Sequence, residues 1–368
     1  MKNSPEIPAW YLLKTKKRRF GNSIFFVLVG SSFFIIFSFF YTKYSPLDVF
    51  SPTVLGEEYE DGGGEFSLEQ KNSEEFAHSS NEEIVKKKPE NFIPLGVPLP
   101  RIKSNTADFV SVHSHASLVI DAGSETILHY DGGKERRPIA SLTKMMTALM
   151  VMETVKDLDE VVTIKKEMLN VEGTVIGCPR SGYCTGTRLQ IDEKIRVRDL
   201  LKAMLMNSAN DSATALAVHV GGTMENFVRD MNAKAQSLGF TDSNFCTPSG
   251  LEIDGENCYS SAYDIARIAI KVLEYDEIWD IMNLPPGTAI TSIDGKYTHE
   301  LLNTNALLGD YEGLLGAKTG FTPDAGYCVL AVAQKRDHII IGVVLDDPYR
   351  WNTIQDMFSW TFSSYEWE

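Results

Sequence analysis

The hydrophobic pattern divides the chain into three regimes. Residues 20–41 carry no charged side chain and consist largely of Phe, Ile, Val and Leu. At 1.5 Å of helical rise per residue such a run spans the bilayer core of about 30 Å, which predicts a transmembrane helix. From 42 to 104 the apolar content falls, with Glu57-Glu58, Gly62-Gly63-Gly64, Glu74-Glu75 and Lys86-Lys87-Lys88 in succession. A stretch of that composition predicts a linker with no core of its own, stiffened toward polyproline geometry by Pro94, Pro98 and Pro100. From 105 onward the pattern is that of a folded domain. Ser117–Asp121 and Thr126–Tyr130 flank Ala122-Gly-Ser-Glu, a hairpin signature. Ala140–Glu153 is apolar nearly all round and predicts a buried helix; helical patterns recur over Arg198–Ala217, Met224–Ser237 and Ala262–Leu273. Gly326–Gln334 and His338–Leu345 flank a Lys335-Arg336-Asp337 turn and predict a second hairpin, before a closing amphipathic helix over Trp351–Phe362. Strands at both ends with helices between predict an α+β domain: an antiparallel sheet with flanking helices and an all-helical region.

Charge sharpens this division. Residues 1–44 hold seven Lys/Arg and one acid, residues 45–100 four Lys and twelve acids, and the rest accounts for −13 of the total of −15. Lys14, Lys16, Lys17, Arg18 and Arg19 precede the apolar run, so the positive-inside rule assigns 1–19 to the cytoplasm, 20–41 to a signal anchor and everything beyond to the exported side. A cleaved signal peptide is the competing reading; the long apolar run and the absence of an Ala-x-Ala site before Tyr44 weigh against it. A linker of roughly 60 residues has an r.m.s. span of about 40–45 Å, enough to hold a domain off a membrane. An acidic exported domain argues against nucleic acid as a partner.

Cysteine usage fits export. Cys178 and Cys184 bracket one short loop and Cys246 and Cys258 another, while Cys328 lies in an apolar run. Two local disulfides and one buried thiol is the economical assignment, with four scattered free thiols as the alternative. The spacings are not those of a zinc site, and no metal or cofactor is expected. His113-Ser-His115 reads as the opening of a strand with its imidazoles in solvent.

Three short runs carry the chemistry: Ser141-Leu-Thr-Lys144, Ser208-Ala-Asn210 and Lys318-Thr-Gly320. Ser79-Ser80-Asn81 matches the second pattern but lies in the linker, ahead of the first. A serine hydroxyl needs a base within hydrogen-bond reach, and three residues along a helix is a spacing that brings side chains together. Lys144 is a base only if its pKa falls, which burial and a second cation achieve; Lys318 is the natural second cation. The start of a helix also supplies N–H groups and positive dipole for an oxyanion. Gly320 would let a substrate backbone approach the strand edge, and Lys318 and Thr319 could bind a carboxylate.

These motifs are the SxxK, SxN and KTG set of the active-site-serine, penicillin-interacting enzymes. From about Asp108 to Trp360 the chain resembles the D-alanyl-D-alanine carboxypeptidases, the low-molecular-mass penicillin-binding proteins. Pro138–Thr147, Asn210–Ala213, Pro248–Leu251, Tyr259–Asp264 and Gly316–Cys328 match as well. The resemblance implies a β-lactamase/transpeptidase-like fold for 105–368. It also implies removal of the terminal D-Ala from peptidoglycan stem peptides, with β-lactams as covalent inhibitors. Carried over by motif, Ser141 is the nucleophile, Lys144 its base, and Ser208 and Asn210 relay protons and hold the substrate amide. Lys318 and Thr319 take the terminal carboxylate, and the N–H groups of Ser141 and Phe321 form the oxyanion hole.

The chain also departs from the family. Cys258 stands where the family usually has His, with an additional Cys246, and the Cys178–Cys184 loop looks inserted. Many members carry a C-terminal β-domain and an amphipathic membrane helix; here the expectation is tethering from the N-terminal side. A serine β-lactamase would need Glu-x-x-x-Asn after the SxN; Glu167-Met-Leu-Asn170 has the wrong spacing and precedes Ser208. D,D-endopeptidase action on cross-links and a non-catalytic wall-binding role remain as alternatives.

Overall fold

The computed structural model describes residues 97–106, 109, 113–179 and 184–368. The apolar run 20–41, Ser79-Ser80-Asn81 and all but the end of the linker lie outside them. Among the described residues no helix is long and apolar enough to cross a membrane.

In chain order the elements are β1 (Pro100–Ile102), β2 (Ala116–Asp121), β3 (Ile127–Asp131), α1 (Lys144–Thr154), β4 (Val161–Thr163), α2 (Lys166–Leu169) and β5 (Lys194–Arg196). Then come α3 (Val197–Met206), α4 (Asn210–Gly221), α5 (Met224–Ser237), α6 (Ala262–Val272), α7 (Asp276–Met282), β6 (Thr288–Thr291) and β7 (Thr298–Leu301). The chain closes with β8 (Leu314–Thr322), β9 (Gly326–Lys335), β10 (His338–Leu345), α8 (Arg350–Ser364) and β11 (Tyr365–Trp367).

Five strands form one antiparallel sheet in the order β3-β2-β10-β9-β8. Both faces are covered, so its central strands read as unbroken apolar runs, not strict alternation. Leu118, Ile120, Leu330, Val332, Ile341 and Val343 join the core of the helical layer. Their neighbours Val119, Val329, Ala331, Ile340 and Val344 pack on Ile354, Met357 and Phe358 of α8. A Cβ on Gly342 would stand 2.7 Å from Phe358, so α8 seats closely only because β10 has no side chain there. At the edge, Lys318 of β8 lies opposite Leu330 and Gly320 opposite Cys328. Leu330 and Cys328 face the helical layer. This register carries the Lys318 side chain into that layer, where it is wholly buried.

Two expectations are corrected. The end of the linker is not polyproline: Pro100–Ile102 pairs with Tyr365–Trp367 as a short antiparallel ribbon. Proline is tolerated there because it opens the strand. The helical pattern over Arg198–Ala217 is two helices, broken at Asn207-Ser208-Ala209. The Ala209 N–H turns back to the Ala203 carbonyl, while the Asn210 N–H bonds the Thr174 carbonyl at 2.7 Å. The first α4 donor is thus satisfied from outside the helix. Both cysteine pairs are disulfides, Cys178–Cys184 and Cys246–Cys258, and Cys328 is a buried thiol. His113 and His115 are exposed just ahead of β2, His115 beside Glu135 at 3.2 Å.

Candidate active site

Ser141 sits in a 3₁₀ turn, Ala140–Thr143, that leads directly into α1. The turn is tight: Ala140 has a φ of 47°, a region that L-residues with a side chain seldom occupy. Two glycines allow it. A side chain on Gly250 would collide with the Ala140 carbonyl. On Gly320 a Cβ would lie 2.8 Å from the Ile139 carbonyl and 3.2 Å from the Ser141 nitrogen. The KTG glycine therefore lets β8 run against the serine turn.

One turn along, Lys144 is wholly buried. Its Nζ lies 2.8 Å from Ser141 Oγ, 2.8 Å from Asn210 Oδ1 and 2.7 Å from the Ser249 carbonyl. Burial, then the charge of Lys318, hold its pKa well below the ordinary lysine value, against a smaller opposing pull from Asp211. In its neutral amine form, which this shift favours, Nζ carries two hydrogens and one lone pair. The two carbonyl oxygens accept the hydrogens, and the lone pair is left for the Ser141 hydroxyl. The Asn210 amide is oriented by its other end, since Nδ2 donates to the Glu172 carbonyl at 2.7 Å.

Ser208 is held in the left-handed region, with φ 58°, at the α3–α4 break. Its Oγ accepts a 2.9 Å bond from Lys318 Nζ, which also donates to the Thr319 carbonyl at 3.0 Å. Burial and the charge of Arg350 bring Lys318 down to about 7. Arg350, at the start of α8, donates to the Gly320 carbonyl at 2.9 Å. Thr319 Oγ1 donates to Thr304 Oγ1 at 2.9 Å. Phe321 follows on the same edge strand, its ring exposed and 4.5 Å from that of Tyr327. Asp211, beside Asn210, is buried and accepts the Ile176 and Ser212 N–H groups, yet burial still raises it to about 6.

The structure thus brings Ser141, Lys144, Asn210, Ser208 and Lys318 into two linked hydrogen-bonded groups, with Thr319, Gly320 and Phe321 on the strand beside them. Sequence reasoning missed four contributors: the Ser249 carbonyl, Asp211, Thr304 and Arg350. Ser249 and Asp211 lie within runs already singled out, Pro248–Leu251 and Asn210–Ala213. A backbone carbonyl, however, has no residue-type signature. The cluster of metal-ligand side chains found among the described residues, Cys246, Glu256 and Cys258, has its two sulfurs joined.

Comparison with known proteins agrees with the motifs. Residues 102–349 match the family described as D-alanyl-D-alanine carboxypeptidase. The D-alanyl-D-alanine carboxypeptidase DacF of Bacillus subtilis (strain 168) is 32% identical over 256 residues, 68% of this chain and 62% of that protein. A D-alanyl-D-alanine endopeptidase of Escherichia coli (strain K12) is 30% identical over 244 residues, 66% of this chain and 74% of that protein. Among solved structures, penicillin-binding protein D2 of Listeria monocytogenes in its ampicillin-bound form superposes with a TM-score of 0.59. It is 29% identical, over 70% of this chain and 100% of that one. The chain spans 62% of the length of the Bacillus relative. The motif order, the antiparallel sheet with its helical layer and the family match over most of the folded part agree: this chain belongs to the D-alanyl-D-alanine carboxypeptidase family.

Proposed function

We propose that the chain is a serine D,D-carboxypeptidase that releases the terminal D-Ala of peptidoglycan stem peptides through an acyl-enzyme on Ser141. The observation that carries this reading is the wholly buried Lys144, whose Nζ lies 2.8 Å from the Ser141 oxygen and has Asn210 Oδ1 and the Ser249 carbonyl as its other two partners. Ser141 Oγ attacks the carbonyl of the penultimate D-Ala and Lys144 takes its proton. The C–N bond breaks, and D-Ala leaves as an amine that takes a proton through Ser208, which Lys318 supplies. Water then hydrolyses the ester and restores the serine. Lys318 and Thr319 receive the terminal carboxylate, and the N–H groups of Ser141 and Phe321 receive the oxyanion. No cofactor enters these steps. β-Lactams acylate the same serine and stay bound, a reading supported by the ampicillin-bound relative.

Residues 20–41 anchor the chain in the bacterial membrane, with 1–19 cytoplasmic and the catalytic domain, 105–368, outside at the end of its acidic tether. D,D-endopeptidase action is the second reading, favoured by the Escherichia coli and Pseudomonas aeruginosa relatives named as endopeptidases. The deciding experiment measures D-Ala release from a diacylated Lys-D-Ala-D-Ala peptide, and cleavage of a cross-linked dimer, by wild type and Ser141→Ala. Release lost in the variant is the expected result. Cleavage of the dimer alone selects the endopeptidase, and release that survives Ser141→Ala refutes both.

A further inference from the structure

The two acceptors that aim the Lys144 lone pair are supported unequally. Asn210 stands on α4 and is braced by the Glu172 carbonyl. The Ser249 carbonyl belongs to a loop with no helix or strand of its own, between Cys246 and Cys258. Residues 253–257 at its tip are exposed. Its neck is a mutual backbone pairing of Asn244 with Tyr259, and the Cys246–Cys258 disulfide closes the loop just inside that pairing. Within the loop, Thr147 Oγ1 of α1 donates to the Pro248 carbonyl at 2.7 Å, and Gly250 presses on the serine turn. Against it lies a small hollow of about 20 Å³, the size of a single water, whose walls include Pro138, Ala140, Thr143, Cys246, Gly250 and Cys258. These contacts hold the loop by hydrogen bonds and packing, and the disulfide is its one covalent tie across the neck.

We infer that Cys246 and Cys258 are positioning residues for catalysis: their disulfide holds the Ser249 carbonyl on Lys144 Nζ and thereby keeps the amine lone pair on Ser141. This rests on the functional reading above, in which Lys144 is the base. Neither cysteine touches substrate. Cutting the tie leaves the β8 edge and its Lys318, Thr319 and Phe321 in place, so recognition survives while proton abstraction suffers. Misplacing a reacting group by about 1 Å can cost on the order of 100-fold, and a loosened acceptor is a milder form of that fault.

The test is Cys246→Ser with Cys258→Ser in the full-length chain, read as acylation by a fluorescent penicillin with the saturating rate and the half-saturating concentration determined separately. Circular dichroism checks that the variant is folded at the assay temperature. The saturating rate is expected to fall roughly tenfold or more, with the half-saturating concentration changed by less than about twofold. An unchanged rate in the folded variant overturns the inference. So does a fall matched by Ile354→Val, which loosens the core on the far face of the sheet without touching the loop. If the serine pair does not fold, the same constants are read on wild type reduced by a dithiol and then reoxidised. Recovery on reoxidation is expected, and a rate indifferent to reduction overturns the inference. Oxidised wild type that is never labelled at Ser141 refutes the functional reading, and the inference falls with it.

Discussion

Replacing Lys318 by Met tests the electrostatics of the site through stability rather than activity. Lys318 is wholly buried and its pKa falls from the lysine value of 10.5 to about 7. The unfolded chain then binds one more proton than the folded chain between those two values, so stability rises with pH across the window. Below pH 7 both states are protonated and the full penalty stands, about 5 kcal/mol at 1.36 kcal/mol per pKa unit. Between pH 7 and 8.5 the part relieved is about 1.5 kcal/mol. Lys144, also depressed, adds a contribution of the same sign. The upper bound of the window matters. Cys328 is raised from 9.0 to about 11, and Tyr275, Tyr311 and Tyr365 are raised from 10.0, so their effect is of opposite sign and falls above pH 8.5; His299, raised from 6.5, also opposes the gain but does so in wild type and variant alike. Lys318→Met removes its own contribution and, by deleting a cation beside Lys144, lets that pKa return upward and shrinks the second contribution too. The assay is urea unfolding followed by tryptophan fluorescence at pH 6, 7 and 8.5. From pH 7 to 8.5 wild type should gain about 1.5 kcal/mol more than the variant. At pH 6 the variant should be at least as stable as wild type despite losing the bonds to Ser208 and the Thr319 carbonyl, worth about 1–3 kcal/mol. Parallel stability curves for the two proteins would refute the reasoning.

Asp211→Asn deletes a buried negative charge that supports protonation of Lys144. The acid limb of the acylation profile, read by stopped-flow with a fluorescent penicillin, should therefore move to lower pH; movement to higher pH contradicts the assignment. Gly320→Ala and Gly342→Ala separate packing from chemistry. Each introduces a methyl against a close neighbour, the serine turn in one case and Phe358 in the other, at a cost of about 1–3 kcal/mol. Acylation should collapse in Gly320→Ala and remain within about twofold of wild type in Gly342→Ala, because only the former displaces reacting groups. Equal acylation by the two variants, with both folded by circular dichroism, would remove Gly320 from any role in seating the serine.

Elements built on local pattern were legible in the sequence, and those built on tertiary bonds were not. The β9–β10 hairpin follows from two apolar runs around Lys335-Arg336-Asp337. Helix α5 is bounded as expected, with the Thr223 side chain accepting the Asn226 N–H at its start. The three motifs named the reactive side chains because nucleophile, base and cations require particular residue types. The break at Ser208 was partly legible, since small polar residues follow Leu200–Met206 as at a helix end while the helical pattern resumes beyond them; the bond to the Thr174 carbonyl that holds it, far away in sequence, was not. The β1–β11 ribbon is three residues wide and joins the two ends of the domain, so no periodicity announces it. The contact of Gly320 with the serine turn was not legible for a related reason: a missing side chain does not say which neighbour occupies the space.

Three cations around one strand would be a fault in most cores, and here their order explains the chemistry. Arg350 is charged at any accessible pH and lies behind the strand, bonded to the Gly320 carbonyl. Its field, added to burial, brings Lys318 to about 7, so at neutral pH that side chain can both give and receive a proton through Ser208. The charge on Lys318 in turn helps burial to hold the Lys144 pKa well below the ordinary lysine value. The effect passes from a fixed charge to a titrating one to a neutral base, and each member is placed by its neighbour in the fold. If the order were broken at Arg350, burial would still depress Lys318, but its pKa would rise and a larger share of it would be charged at neutral pH. Lys144 would then face a more persistent cation, which pushes its own pKa further down. The electrostatics around Ser141 therefore depend on the first turn of α8 as well as on the turn that carries the serine.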